Sequence, residues 1–202
     1  MTSLNHSQPL TVMLLDSERS CDLIIEQALL EAGYHAILGS SLSVDLTQAV
    51  RENRADMLVI VVNSPDKALL DNIARLNKQQ PLPIVMFVNT EASQAITDTI
   101  KAGVSGYVVD GLQANRIHSI LQTAHARFNE MQTLKSELES VKGQLEDRKL
   151  IDKAKGLIMK HQGCDEPAAY QALRKLAMDR SQKMVDVATS VIAVMALMGD
   201  EK

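Results

Sequence analysis

The sequence predicts an α/β domain of five β–α repeats, then a coiled-coil helix, then an all-α bundle of three helices, and three observations carry that expectation. Between Leu10 and Arg127, short apolar runs alternate five times with stretches of helical periodicity, the pattern of a parallel sheet covered by helices. Beyond Arg127, apolar residues recur at spacings of three and four with Lys, Glu and Gln between them. The chain then changes sign: residues 1–147 hold 11 Lys/Arg against 18 Asp/Glu, whereas residues 148–202 hold 10 against 7. A basic unit joined to an acidic one suggests a polyanion as the partner of the former.

The five strands fall at 10–15, 35–38, 57–62, 83–88 and 106–109, each followed by a segment able to form a helix. That is a flavodoxin-like (βα)5 domain over 10–127, with functional residues expected where the strands end. The fifth helix runs on. Ile117, Leu121, Ala124, Phe128, Met131, Leu134, Leu138, Val141 and Leu145 form one stripe, which needs a partner and predicts a dimerising coiled coil over 128–147. Phe128, Met131 and Leu134 give two successive spacings of three, a stammer that places the junction between domain helix and stalk. Gly143 weakens the stalk near its end.

Residues 148–198 predict three short helices. The first spans 149–161 and stops at Gly163. Asp165 is positioned to cap the second, with Pro167 in its first turn and Ala168, Ala169, Leu173, Leu176 and Ala177 as its apolar face. Ser181 is the expected cap of the third, along which Met184, Val185, Ala188, Val191, Ile192 and Met195 recur at helical spacing. Tyr170 and the methionines are assigned to the core of this small bundle.

Several functions are excluded. Cys21 and Cys164 form neither a C-x-x-C spacing nor a pair with neighbouring histidines, so neither a disulfide framework nor a zinc site is expected. The five histidines make no metal or nucleophile constellation, and the expectation is no enzyme, no cofactor and no metal. The polar start does not read as a signal peptide, and the longest apolar stretch, 187–198, falls short of the ~20 residues a membrane span needs. The expected location is the cytoplasm.

The segment R-K-L-I-D-K-A-K-G-L-I-M-K, followed by C-D-E-P-A-A-Y-Q-A-L-R-K-L-A-M and Q-K-M-V-D-V-A, resembles the ANTAR module, with Ala154-Lys155-Gly156, Met159, Leu173-Arg174, Ala177-Met178 and Val187-Ala188 in register. The resemblance implies an RNA-binding three-helix bundle that recognises paired stem-loops in leader transcripts and prevents an intrinsic terminator from forming. The first domain resembles a response-regulator receiver, and the whole chain is similar to the NasT-like, nitrate-responsive antiterminators. That similarity implies control by a ligand-sensing protein of the periplasmic-binding type.

A phosphorylatable receiver needs two acidic residues after its first strand, an acceptor aspartate after its third, and a Thr/Ser and a Lys after its fourth and fifth. Here V-M-L-L-D-S-E gives Asp16 and then Ser17, so metal binding is weakened. Counting back four from Pro65 puts Val61 at the acceptor position, and a shift of two would put Asn63 there; neither forms an acyl phosphate. Val88 falls at the Thr/Ser position, with Thr90 two residues late, and Asp110 falls at the lysine. This degenerate phosphorylation site, Asp16, Ser17, Val61, Val88 and Asp110, makes the domain a pseudo-receiver.

RNA recognition by the tail must rest on cations, helix N-termini and shape, because aromatic residues are scarce. The candidate contacts are Lys155, Gly156, Arg174, Lys175, Arg180, Gln182 and Lys183, with Lys149, Lys153 and Lys160 as weaker ones. A dimer would present two bundles, making the second hairpin's binding intramolecular. The alternative is a DNA-binding response-regulator-like transcription factor whose three helices form a helix-turn-helix. Preference for RNA hairpins over duplex DNA separates the two.

Overall fold

The computed structural model describes residues 9–17, 22–39, 45–89, 93–109 and 114–199. It divides into two compact units, Met1–Gln132 and Thr133–Lys202. The first contains β1 (Thr11–Asp16), β2 (His35–Leu38), β3 (Met57–Val62), β4 (Ile84–Val88) and β5 (Gly106–Val109). The strands form one wholly parallel sheet in the order β2-β1-β3-β4-β5, so the flavodoxin-like expectation holds. The first and fourth strands begin one residue later than the apolar pattern suggested.

Strand residues alternate between two cores because successive side chains of a strand point to opposite faces. Met13, Leu15, Leu58, Ile60, Ile84 and Met86 pack in one layer with Leu46 and Val50 of α2 (Leu46–Asn53) and Leu69, Ile73 and Leu76 of α3 (Lys67–Gln79). Ala102 of α4 (Ser93–Ala102) joins that layer. Val12, Leu14, Val59, Val85 and Phe87 pack in the other, against Ile25 and Leu29 of α1 (Asp22–Glu31) and Ile117, Leu121 and Ala124 of α5 (Ala114–Gln162). Strands buried on both faces read as continuous apolar runs, which is why their positions were plain. Aspartates set the starts of α2 and α3: Asp45 accepts from the Thr47 N–H at 2.9 Å and Asp66 from the Leu69 N–H at 2.8 Å.

α5 continues without interruption from Ala114 to Gln162. The fifth helix runs on into the stalk as expected, but the separate helix expected from 149 does not begin anew: it is the continuation of α5, with no break at 148. No proline lies between those bounds, and the two exposed glycines, Gly143 and Gly156, cost only about 1 kcal/mol each in a helix of this length. Met131, Leu134, Leu138, Val141 and Leu145 stand on α5 more than half exposed.

In the second unit, α5 packs with α6 (Glu166–Asp179) and α7 (Met184–Gly199). The buried core is Ala154, Ile158, Ala169, Leu173, Ala177, Val187 and Ala188, four of the seven being alanine, with Ile151, Met159, Cys164, Leu176, Met184, Val191 and Ile192 partly buried against it. Gly163, in the left-handed region at φ +65, closes α5, and Asp165 caps α6 as expected, accepting from the Ala168 N–H at 3.0 Å. Ser181 does not cap α7. It adopts φ +50 and terminates α6: its N–H donates to the Met178 carbonyl at 3.1 Å, and the Gln182 N–H to the Ala177 carbonyl at 3.0 Å. The first turn of α7 starts instead from Lys183, whose carbonyl accepts from the Val187 N–H at 3.3 Å. Among the described residues no helix is long and apolar enough to cross a membrane.

Candidate functional site

Two places bring together the residues singled out in the sequence. The first is the carboxyl edge of the sheet. The β1–β3 register sets Asp16 opposite Val61, the Ser17 N–H donates to the Val61 carbonyl at 3.0 Å, and the β3–β4 register sets Val62 opposite Val88. Asp16, Ser17, Val61 and Val88 therefore converge. Asp110 and Thr90 lie outside the described residues.

Val61 is half-buried against the α1/α5 layer and Val88 is buried in the opposite one, so apolar packing occupies both positions. Neither side chain offers a nucleophile or a hydroxyl. The polar groups at this edge join to one another: the Asn89 Nδ2 donates to the Asn63 Oδ1 at 2.6 Å, tying the β3 and β4 exits together. Ser17, Asn63, Ser64, Asp66 and Asn72 line a shallow cavity beside them.

The second place is the C-terminal unit. Lys155, expected as an RNA contact, is largely covered: its side chain is 14% exposed, and its Nζ lies 2.7 Å from the Asp152 Oδ1 and 2.7 Å from the Glu166 Oε1. Hydrogen bonds to Asp152 and then Glu166 raise its pKa above the ordinary lysine value, and the Lys155 hydrogen bond holds Asp152 below the ordinary carboxylate value. Lys155 thus fastens α5 to the first turn of α6. Its neighbour Gly156 is exposed, with no heavy atom within 4 Å of where a Cβ would stand.

Arg174 and Lys175 are exposed on α6, and Arg180, Gln182 and Lys183 are exposed in the α6–α7 connection. Among the described residues none of these four cations makes an ion pair. Tyr170 and Met178 are not core residues, as the sequence had suggested: they are 41% and 69% exposed. They flank Arg174 at four-residue spacing on one stripe of α6, one position beyond the buried Ala169, Leu173 and Ala177. That spacing was the available signal. The stripe puts an aromatic residue and an arginine one turn apart on α6, residue types that can stack on a base and hydrogen-bond it.

Solved structures match the first unit's fold. A response regulator from Thermotoga maritima superimposes with a TM-score of 0.52, covering 58% of this chain and 98% of its own, at 18% identity. The first unit is a receiver-like domain. The family model for the ANTAR domain matches residues 139–192. The transcriptional regulatory protein PdtaR of Mycobacterium tuberculosis is 24% identical over 191 residues, covering 95% of this chain and 93% of that protein. The nitrate regulatory protein of Klebsiella oxytoca is 46% identical over 78 residues, which is 39% of this chain and 20% of that protein. Residues 139–192 thus match the ANTAR domain, the first unit has the fold of a receiver, and the relatives the chain matches are regulators.

Proposed function

We propose that the protein is an RNA-binding transcription antiterminator that binds paired hairpins in leader RNA and prevents terminator formation. The observation that carries this reading is the exposed, unpaired set Arg174, Lys175, Arg180 and Lys183, with Tyr170 beside Arg174, on a unit that matches the ANTAR domain. Cations without carboxylate partners are free to meet phosphate, and an exposed aromatic meets unstacked bases.

Two copies act together. The exposed stripe Met131, Leu134, Leu138, Val141 and Leu145 has heptad spacing, and its flanking positions hold Glu130 and Glu137 on one side, Lys135 and Lys142 on the other. In a parallel pair each glutamate faces the lysine five residues further along the partner, whereas an antiparallel pair opposes like charges. The reading is a parallel homodimer presenting two RNA-binding units.

In this reading control comes from a ligand-sensing protein partner, as the resemblance to NasT-like antiterminators implies, and not from phosphorylation; the apolar Val61 opposite Asp16 supports the second half of that reading. A role in nitrate or nitrite assimilation is supported by the similarity to the Klebsiella regulator. The test is affinity of the purified protein for a two-hairpin leader RNA, for the same RNA lacking either hairpin, and for duplex DNA at matched salt. Tight binding only to the two-hairpin RNA is expected. Equal or tighter binding to duplex DNA overturns the reading in favour of a DNA-binding regulator.

A further inference from the structure

α5 changes character along a single face. At the helical phase of the exposed apolar stripe that ends at Leu145 come Lys149, Lys153, Gly156 and Lys160, at spacings of four, three and four. All four are exposed. At about 100° per residue they occupy an arc of about 60°, and the lysines span about 16 Å of helix. Ile151, Ala154 and Ile158, which carry the contribution of α5 to the bundle core, fall on the opposite side. The one carboxylate within this stretch, Asp152, is held by Lys155 at 2.7 Å and by Arg148 at 3.9 Å.

Gly156 interrupts the row of lysines for no reason internal to the fold. A glycine inside a helix is less stable than alanine, and here the space of the missing side chain is open and the backbone is ordinary helix. Gly163 differs, since its positive φ closes the helix. Gly143 is also open, but it lies off the lysine face.

We propose that the face formed by Lys149, Lys153, Gly156 and Lys160 is the track on which RNA phosphates lie, with the backbone at Gly156 the point of closest approach. This rests on the RNA-binding reading above. A phosphate seated over Gly156 has Lys149 and Lys153 on one side and Lys160 on the other, which leaves Tyr170 and Arg174 of α6 for bases. The track also continues the dimer seam. In a parallel pair the two rows of lysines face each other, and a polyanion between them relieves their repulsion. RNA binding and chain pairing are then linked, each strengthening the other by the same factor.

The full chain tests this with a two-hairpin transcript selected from a pool of randomised loops, its affinity measured over a salt series. The variant Lys149→Gln/Lys153→Gln/Lys160→Gln is compared with Lys67→Gln/Lys78→Gln/Lys101→Gln, which removes the same charge from the receiver-like unit. The track variant is expected to bind at least ~10-fold more weakly at physiological salt, with a log–log salt slope shallower by about four for the six lysines of a dimer. The control variant should match the wild type. Gly156→Ala, which has room for its methyl group, should melt at or above the wild-type temperature yet lose affinity by ~10-fold or more. Wild-type affinity and slope in both the track variant and Gly156→Ala overturn the proposal, as does an equal loss in the control variant. A wild-type chain that binds no hairpin RNA overturns instead the function proposed above.

Discussion

Replacing Leu138 by Glu probes the seam at its centre. The five seam residues are 53–64% exposed in the isolated chain, so a little more than half of each side chain remains to be covered by a partner. Complete burial of such a side chain contributes about 1.5–3 kcal/mol, so covering the rest contributes roughly 1 kcal/mol each, or about 10 kcal/mol over two chains. Association itself costs about 4–15 kcal/mol, which leaves about 6 kcal/mol at best, a dimer dissociating at tens of micromolar (about 40 μM). Leu138→Glu removes about 2 kcal/mol of this from the pair and sets two carboxylates face to face in the seam. The dimer is expected to weaken by more than ~100-fold, because each 1.4 kcal/mol is about tenfold. Sedimentation velocity over a concentration series reads that shift. The melting curve should barely change, since an exposed position away from other contacts usually alters stability by less than about 0.5 kcal/mol. An unchanged dimerisation constant would refute the seam, and a large drop in melting temperature would show that Leu138 packs within its own chain.

Three other expectations concern the second unit. Asp165→Ala removes the α6 cap and should cost about 1 kcal/mol, read as a lower unfolding midpoint in urea. Leu173→Ala, at a site 1% exposed, should cost about 2–5 kcal/mol and melt the bundle ahead of the receiver-like unit in calorimetry. Lys155→Gln should lower the melting temperature at neutral pH, with the difference from wild type shrinking at both extremes. The lowered Asp152 pKa means its contribution is present above the ordinary carboxylate range and lost as pH falls through the folded value. The raised Lys155 pKa means its contribution is lost as pH rises through a value above the ordinary lysine one. A deficit that stays constant across the whole range would count against the ion pairs as its cause.

The three central strands, β1, β3 and β4, were legible because each is a run of apolar residues buried on both faces, which leaves no ambiguity of period. The Asp165 cap was legible for an equally local reason, a short polar side chain two residues ahead of a proline. The run of α5 into the stalk was legible from its apolar stripe, whereas its continuation past Arg148 was not, because Gly143 and the charges near Arg148 look like a boundary although neither breaks a helix. Ser181 was misplaced because serine is a common N-cap, and its left-handed conformation depends on the two hydrogen bonds that close α6. Tyr170 and Met178 were sent to the core by their apolar character. On α6 the inward positions are taken by Ala169, Leu173 and Ala177, and the larger side chains at the positions after the two alanines are left outside. Nor could spacing alone show that Lys155 is occupied, because Glu166 reaches it from another helix.

The alanine-rich core of the second unit has a consequence for the life of the protein in the cell. Seven buried side chains, four of them single methyl groups, give this unit a small reserve of stability. Whatever binds the folded form and not the unfolded one raises that reserve in proportion to the logarithm of its concentration. If the chain binds RNA as proposed, the bound form opens less often than the free one and resists protease for longer. Turnover becomes a second readout of occupancy, set by the smallness of Ala154, Ala169, Ala177 and Ala188.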